Sequence, residues 1–316
     1  MYRIGIDLGG TNIVAGVVDD AYNILAKADC KTAVPRPEIE ICKSMAQTAK
    51  RAVLKANLTL NDIESCGIGV PGAVNPESGI VEYSVNLNFH NWNVAKTMEH
   101  LLKLPVKIEN DANAAAYGEY LAGAAQGAKN AVCITLGTGV GGGIIIDGKI
   151  FRGSNFAGAE LGHMVIVHNG NDCACGRKGC FETYASAGGL VALTKEAIKQ
   201  ELPEKSFMLK AVNGDISKIN GLTAFNAMRK GDKTGSSVVN KYISYLACGI
   251  TNIINIFQPD IICIGGGISR EGDFLIAPLR TLVEKERYTK HNNKQTEIVT
   301  AKLGNDAGII GVAVLA

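Results

Sequence analysis

Tyr2-Arg3-Ile4-Gly5-Ile6-Asp7-Leu8-Gly9-Gly10-Thr11-Asn12-Ile13-Val14-Ala15-Gly16-Val17-Val18-Asp19 is an apolar stretch broken at its centre by two glycines. Apolar residues alternate on each side of Gly9-Gly10, which predicts a β-hairpin turning at the glycines. Such a turn admits an anion. Glycine lets the backbone approach closely, and successive N–H groups form a nest for phosphate oxygens. Thr11 adds a hydroxyl, and Asp7 a carboxylate suited to holding Mg²⁺ through water. An ordinary Gly-Gly turn has the same composition, so this stretch alone leaves both readings open.

The pattern returns at Val132-Cys133-Ile134-Thr135-Leu136-Gly137-Thr138-Gly139-Val140-Gly141-Gly142-Gly143-Ile144-Ile145-Ile146-Asp147. Ile134, Leu136, Gly137 and Asp147 stand 128 positions after Ile6, Leu8, Gly9 and Asp19. An internal repeat of this kind predicts two similar domains, each offering a glycine-rich hairpin. Two such hairpins suit the gripping of one polyphosphate. The second copy has Thr135 where the first has Asp7, so the carboxylate role belongs to the first half only.

Between the hairpins, apolar spacing at Ile41, Met45, Ala49, Ala52 and Val53 predicts a helix over 38–56. A buried strand over 65–70 ends in Pro71-Gly72, and 86–92 reads as a polar loop carrying the only tryptophan, Trp92. That loop suits a pocket wall or a surface loop with a half-buried ring. Residues 106–113 run a strand into an alanine-rich helix over 114–125, placing Asn110 and Asp111 at the junction. Asn and Asp are preferred helix caps. A carboxylate at a strand's carboxyl end also faces the crevice where open α/β sheets bind ligands.

Cys173, Cys175 and Cys180 fall within eight positions, with Gly176 and Gly179 letting the chain fold back. Three thiolates and one imidazole make the closed tetrahedral set of structural zinc. His163, ten residues before Cys173, is the fourth ligand, with His168 ranked second. Metal-free cysteines are the plainer alternative. Around this knot stand two carboxylates, Glu160 and Glu182.

Further along, helices are expected over 190–200, 224–230, 234–258, 274–288 and 306–315, with strands over 261–264 and 297–303. Gly265-Gly266-Gly267 follows the first of those strands and offers bare backbone to a base or ribose. With 316 residues, 47% hydrophobic and 20% charged, the chain has material for a sizeable core and is not disordered. A net charge of +2 gives no footing for nucleic acid or an anionic membrane. Nine cysteines, an odd number, read as a reducing cytoplasm and not a disulfide framework. With Met1 leading directly into a strand no signal peptide is expected, and no apolar run approaches the roughly 18 residues of a membrane span.

Taken in order, these motifs resemble the ROK family of sugar kinases and repressors, within the actin-like (ribonuclease-H-like) ATPase superfamily. Asp7-Leu8-Gly9-Gly10-Thr11 is similar to its first phosphate motif, Leu136-Gly137-Thr138-Gly139 to the second, and Gly265-Gly266-Gly267 to the adenosine motif. Glu109-Asn110-Asp111 resembles the catalytic segment. Glu160-Leu161-Gly162-His163, the three cysteines and Glu182 resemble the family's most specific signature. Members often carry Lys after the first Thr, where this chain has Asn12. The helix-turn-helix of the family's repressors has no counterpart before Asp7.

The resemblance implies an α/β fold of two actin-like domains flanking a catalytic cleft. The first holds residues 1–112 with 302–316 packed back on it, the second 113–301. It implies transfer of phosphoryl from MgATP to a hexose, glucose first, since Asn86-Leu87 with Trp92 resembles the loop of glucose-phosphorylating members. Asp111 is the implied general base. Gly72, Asn86, Asn110, Glu160, His163 and Glu182 are the implied sugar ligands. Asp7, Gly9, Gly10, Thr11, Asn12, Thr138, Gly139, Gly266 and Gly267 are the implied ATP-site residues. His163, Cys173, Cys175 and Cys180 are the implied zinc ligands, and a homodimer or homotetramer the implied assembly. Kinases for N-acetylmannosamine, N-acetylglucosamine or fructose are alternatives, as is a sugar-sensing regulator without catalysis.

Overall fold

The computed structural model describes residues 1–200 and 206–316. In chain order its elements begin β1 (Tyr2–Leu8), β2 (Asn12–Asp19), β3 (Ile24–Lys31), α1 (Glu38–Lys55), β4 (Ile63–Val70), β5 (Ala73–Asn75), β6 (Ile80–Ser84), β7 (Phe89–Asn93), α2 (Val94–Leu102), β8 (Val106–Asn110) and α3 (Asp111–Ala122). Then come β9 (Ala131–Leu136), β10 (Val140–Ile146), β11 (Lys149–Ile150), α4 (Glu182–Ala185), α5 (Ala187–Lys199), α6 (Phe207–Ala211), α7 (Thr223–Arg229) and α8 (Lys233–Phe257). The last are β12 (Ile261–Gly265), α9 (Asp273–Glu286), β13 (Glu297–Thr300) and α10 (Ala307–Leu315).

Two five-stranded sheets have the same plan, β3-β2-β1-β4-β8 and β11-β10-β9-β12-β13. The repeat in the sequence is therefore a repeat of structure: β9 and β10 begin and end within a residue or two of where the offset places β1 and β2. The third strand is where the copies part, eight residues in β3 and two in β11. The chain divides into two compact units. One comprises Met1–Cys133, Gly143–Ala159 and Lys302–Ala316, the other Ile134–Gly142 and Glu160–Ala301.

In the first unit, β1 shows how the residue pattern builds layers. Ile4, Ile6 and Leu8 point one way and join Ile41, Met45 and Val53 of α1 in one core, each of these six side chains at most 2% exposed. Each such side chain contributes about 1.5–3 kcal/mol on burial. Gly5 points the other way, beneath α10: a Cβ there would run into the Ile309 carbonyl, and one at Gly67 of β4 into that of Val312. Absence of side chains at these two positions lets α10 lie directly on the sheet. The helix is held there by Glu119 of α3, a buried carboxylate that accepts from Ala124 N (2.8 Å), Lys302 N (3.0 Å) and Leu303 N (2.7 Å). Three amide donors satisfy a carboxylate that burial would otherwise penalise.

Two local expectations change. The segment around Trp92 is not all loop: Phe89–Asn93 forms β7, paired with β6, and Trp92 packs half-buried against the first core. The alanine-rich helix starts earlier, at Asp111, because Asn110 caps it, and ends at Ala122, where Glu119 turns back to the following amides. In the second unit Tyr242, Phe181 and Phe225 are fully buried, and Tyr242 Oη donates to Ala185 O at 2.7 Å. No described helix is long and apolar enough to cross a membrane.

Candidate active site

In the first unit, the turn between β1 and β2 is closed by Gly9 N donating to Asn12 O at 2.9 Å. Thr32, fully buried just beyond β3, donates Oγ1 to Gly9 O (2.6 Å) and N to Thr11 O (2.9 Å). Two carbonyl oxygens of the turn are thereby engaged by the residue that follows β3. Asn86 lies alongside: a Cβ at Gly10 would stand 3.4 Å from Asn86 Cβ.

Asp7, Gly69 and Glu109 form one row across β1, β4 and β8. Gly69 has no side chain to fill the row, and Asp111 Cα lies 3.7 Å from where its Cβ would be. Two carboxylates, Asp7 and Asp111, thus share one place on the sheet. Burial pushes Asp7 up to about 6, and the Asp111 charge adds to the rise. Burial also raises Asp111, opposed by the hydrogen bond from Ala112 N at 2.9 Å. Two partly buried like charges are the situation a divalent cation relieves.

Asn110 proves to be a helix cap: its Oδ1 accepts from Ala112 N (2.9 Å) and Asn113 N (3.1 Å). Its Nδ2 donates to Gly72 O at 3.1 Å, which leaves one amide hydrogen for a ligand. Gly72 has φ +115° and sits against the Tyr83 carbonyl, a position only glycine takes without strain. Glu109, 2% exposed, anchors the junction: Oε1 accepts from Asn110 N (3.0 Å) and Asn113 Nδ2 (3.1 Å), and Oε2 from Arg152 Nε (2.7 Å). Thr32, Arg152 and Glu119 escaped the sequence reading, and Glu109 enters it only as part of the Glu109-Asn110-Asp111 segment, without its anchoring role.

Asp7 gives a pH dependence with a defined sign. Its folded value near 6 exceeds the ordinary 3.8, so the folded state binds the proton more tightly. That stability is fully present below about pH 4 and is lost as pH rises through about 6. Two pH units of displacement correspond to at most about 3 kcal/mol. The metal-free Asp7→Asn protein is therefore expected to melt higher than the parent at pH 7 and with it at pH 4, read by thermal unfolding across that range. Equal melting at pH 7 would show that Asp7 carries no such strain.

In the second unit, His163 Nδ1 lies 3.6 Å from Cys173 Sγ, and Cys175 Sγ lies 3.7 Å from Cys180 Sγ. All four donor atoms fall within 4.8 Å of one another. A tetrahedron with metal–sulfur bonds of about 2.3 Å has edges of about 3.8 Å, so the set fits zinc. His168 is outside the cluster. With Nδ1 turned to the knot, His163 Nε2 is 4.0 Å from Glu160 Oε2. The knot loop is shaped by Gly179, φ +79°, whose Cβ would strike the Val167 carbonyl.

Glu182 opens α4 two residues after Cys180, and its Oε2 accepts from Val140 N at 3.0 Å. It therefore touches the second hairpin, where Gly139 leaves room for its carboxylate. Ala187 N donates to Gly137 O at 2.9 Å, a second tie to the same turn, while Thr138 is exposed at its tip. Gly266, φ +85°, presses on the Leu136 backbone, so tight packing already requires glycine there. Gly267 has open space in front of it.

The ROK family model matches residues 3–316. The glucokinase of Streptomyces coelicolor is 36% identical over 99% of this chain and 96% of its own. The glucokinase of Thermotoga maritima is 37% identical over 98% and 95%. A crystal structure of a ROK glucokinase from Streptomyces griseus, in complex with glucose and AMPPNP, superposes with a TM-score of 0.82 at 34% identity, covering 100% of this chain and 99% of that one.

Proposed function

This chain belongs to the ROK family, and on that premise we propose that it is an ATP-dependent glucokinase, forming glucose 6-phosphate and ADP. The observation that carries the reading is the pair of partly buried carboxylates, Asp7 and Asp111, beside the Gly9–Asn12 turn. Glucokinases alike over nearly their whole length support the choice of sugar.

Phosphoryl transfer passes through a loose transition state, so positioning and charge neutralisation dominate. Asp111 accepts the proton of the attacking hydroxyl at a carboxylate oxygen. Its raised affinity for that proton suits a general base. Asp7 is the residue that would hold Mg²⁺ through water, which supplies positive charge to the phosphates. Gly9, Gly10, Thr11 and Asn12, with Thr138 and Gly139, bind the phosphates, and Gly266 and Gly267 the nucleoside. Asn110, Glu160, His163 and Glu182, with Gly72 and Asn86, hold sugar hydroxyls. Zinc on His163, Cys173, Cys175 and Cys180 would fix the imidazole so that Nε2–H is left as a donor. We assign the protein to a reducing cytoplasm, as a homodimer or homotetramer.

The test is ADP release from MgATP with glucose, mannose, fructose, N-acetylglucosamine and N-acetylmannosamine. Glucose is expected to give the highest kcat/KM. Turnover confined to another sugar would keep the chemistry and replace the substrate. Sugar binding without turnover on any of the five would favour a sensing regulator.

A further inference from the structure

A polyphosphate seated on the Gly9–Asn12 turn needs positive charge as well as amide hydrogens, the more so with two carboxylates close by. Two cations on the strands of the first sheet are already paired, Arg3 with Asp20 and Glu64, and Lys27 with Asp306. Lys31 differs. Its Nζ donates to Asn12 Oδ1 at 2.9 Å, and no ion pair to a carboxylate is formed by it among the described residues.

The placement is built into the sheet. Lys31 closes β3 and Asn12 opens β2, and the two are cross-strand partners. One residue further on, Thr32 ties the same end of β3 to the carbonyls of Gly9 and Thr11. The register therefore fixes the lysine over the turn. Both Lys31 and Asn12 are exposed. An ammonium has three N–H donors, and Asn12 occupies one, so two are open to a ligand.

We infer that Lys31 is a phosphate-binding residue for the nucleotide, its ammonium aimed over the glycine turn by Asn12. The assignment rests on reading that turn as a nucleotide site. It gives Asn12 a positioning role, with its carboxamide facing the lysine. A point charge on a flexible stem suits a phosphate group that changes charge during transfer.

Lys31→Met, Lys31→Arg and Asn12→Ala in the full chain are titrated calorimetrically with MgATP and with adenosine. Lys31→Met is expected to weaken MgATP binding about tenfold or more, the range for a charge-assisted hydrogen bond. Adenosine affinity stays the same, and Lys31→Arg stays within about threefold for MgATP. Asn12→Ala falls between, and the MgATP affinity of Lys31→Met responds less steeply to salt. In turnover, KM for ATP rises and KM for the sugar does not. MgATP affinity within about twofold of the parent overturns the assignment, as does an equal loss for adenosine. A parent protein that binds adenosine but not MgATP, or neither, overturns instead the reading of the turn on which the assignment stands.

Discussion

Asp111→Asn is expected to lower kcat for glucose phosphorylation by roughly 10²-fold or more, within the range general-base catalysis supplies. The substitution is nearly isosteric, and its local role survives: Asp111 is the first residue of α3, and a carboxamide oxygen still accepts from Ala112 N. Asn110 continues to cap the helix, and Glu109 with Arg152 continues to hold the strand end. What disappears is the carboxylate proposed to receive the hydroxyl proton. The charge on Asp7 also loses its repulsive neighbour, so the variant should be no less stable than the parent. Unchanged glucose and MgATP affinities with a collapsed kcat would mark loss of an interaction made only in the transition state. Turnover within about threefold of the parent would remove Asp111 from the role.

The second large effect concerns the zinc knot. Cys175→Ser, or stripping with a chelator, is expected to abolish one equivalent of bound zinc and lower the melting temperature by more than about 10 °C. Between the short turn of helix at Leu161–His163 and α4 the segment has no regular helix or strand. It is joined by the bridges Val165↔Cys180 and Asp172↔Lys178 and by loop hydrogen bonds such as Gly179 N to Asn171 O and Phe181 N to Met164 O. Structural zinc binds with about 10–16 kcal/mol in small peptides, and a segment with so little core of its own depends on that term. The damage should reach catalysis through Glu182, which follows Cys180 by two residues and receives Val140 N. KM for glucose should therefore rise. Metal analysis and thermal unfolding on the same sample decide the matter. Full zinc content in Cys175→Ser would dissolve the proposed ligand set.

Much of this was legible in the residues, for identifiable reasons. The alternation of Ile4, Ile6 and Leu8 around Gly9-Gly10 is a local pattern, and its return at Ile134 and Leu136 carried the architecture, down to the matching strand orders of the two sheets. The cysteine knot was legible because tetrahedral ligation demands a few side-chain types at short spacing, and the structure gathers those four donors. Contacts set by register were not legible. Lys31 meets Asn12 only because β3 pairs with β2 in one alignment, and Arg152 reaches Glu109 across 43 positions. Glu119 looked like an ordinary residue of an alanine-rich helix, yet its partners are 183 and 184 positions away. Asn110 fitted two descriptions, and its two hydrogen-bonding faces divide between them: the carbonyl caps, and one amide hydrogen remains.

The seat of α10 has a consequence for how the molecule is made. The first unit opens with β1 but is closed by Lys302–Ala316, whose helix covers the faces of Gly5 and Gly67 and seats Gly308 where a Cβ would stand 3.9 Å from the Asp7 carboxyl carbon. A ribosome delivers β1 through α3 early and must then make the whole second unit before α10 emerges. Throughout that interval the nascent first unit exposes one side of its sheet, with Glu119 awaiting the amides of Lys302 and Leu303. The second unit, whose segments end at Ala301, has all its residues first. Domains usually mature in the order they are synthesised; here the one begun first is finished last, and its Gly9–Asn12 turn gains a backed sheet only when translation has passed residue 315.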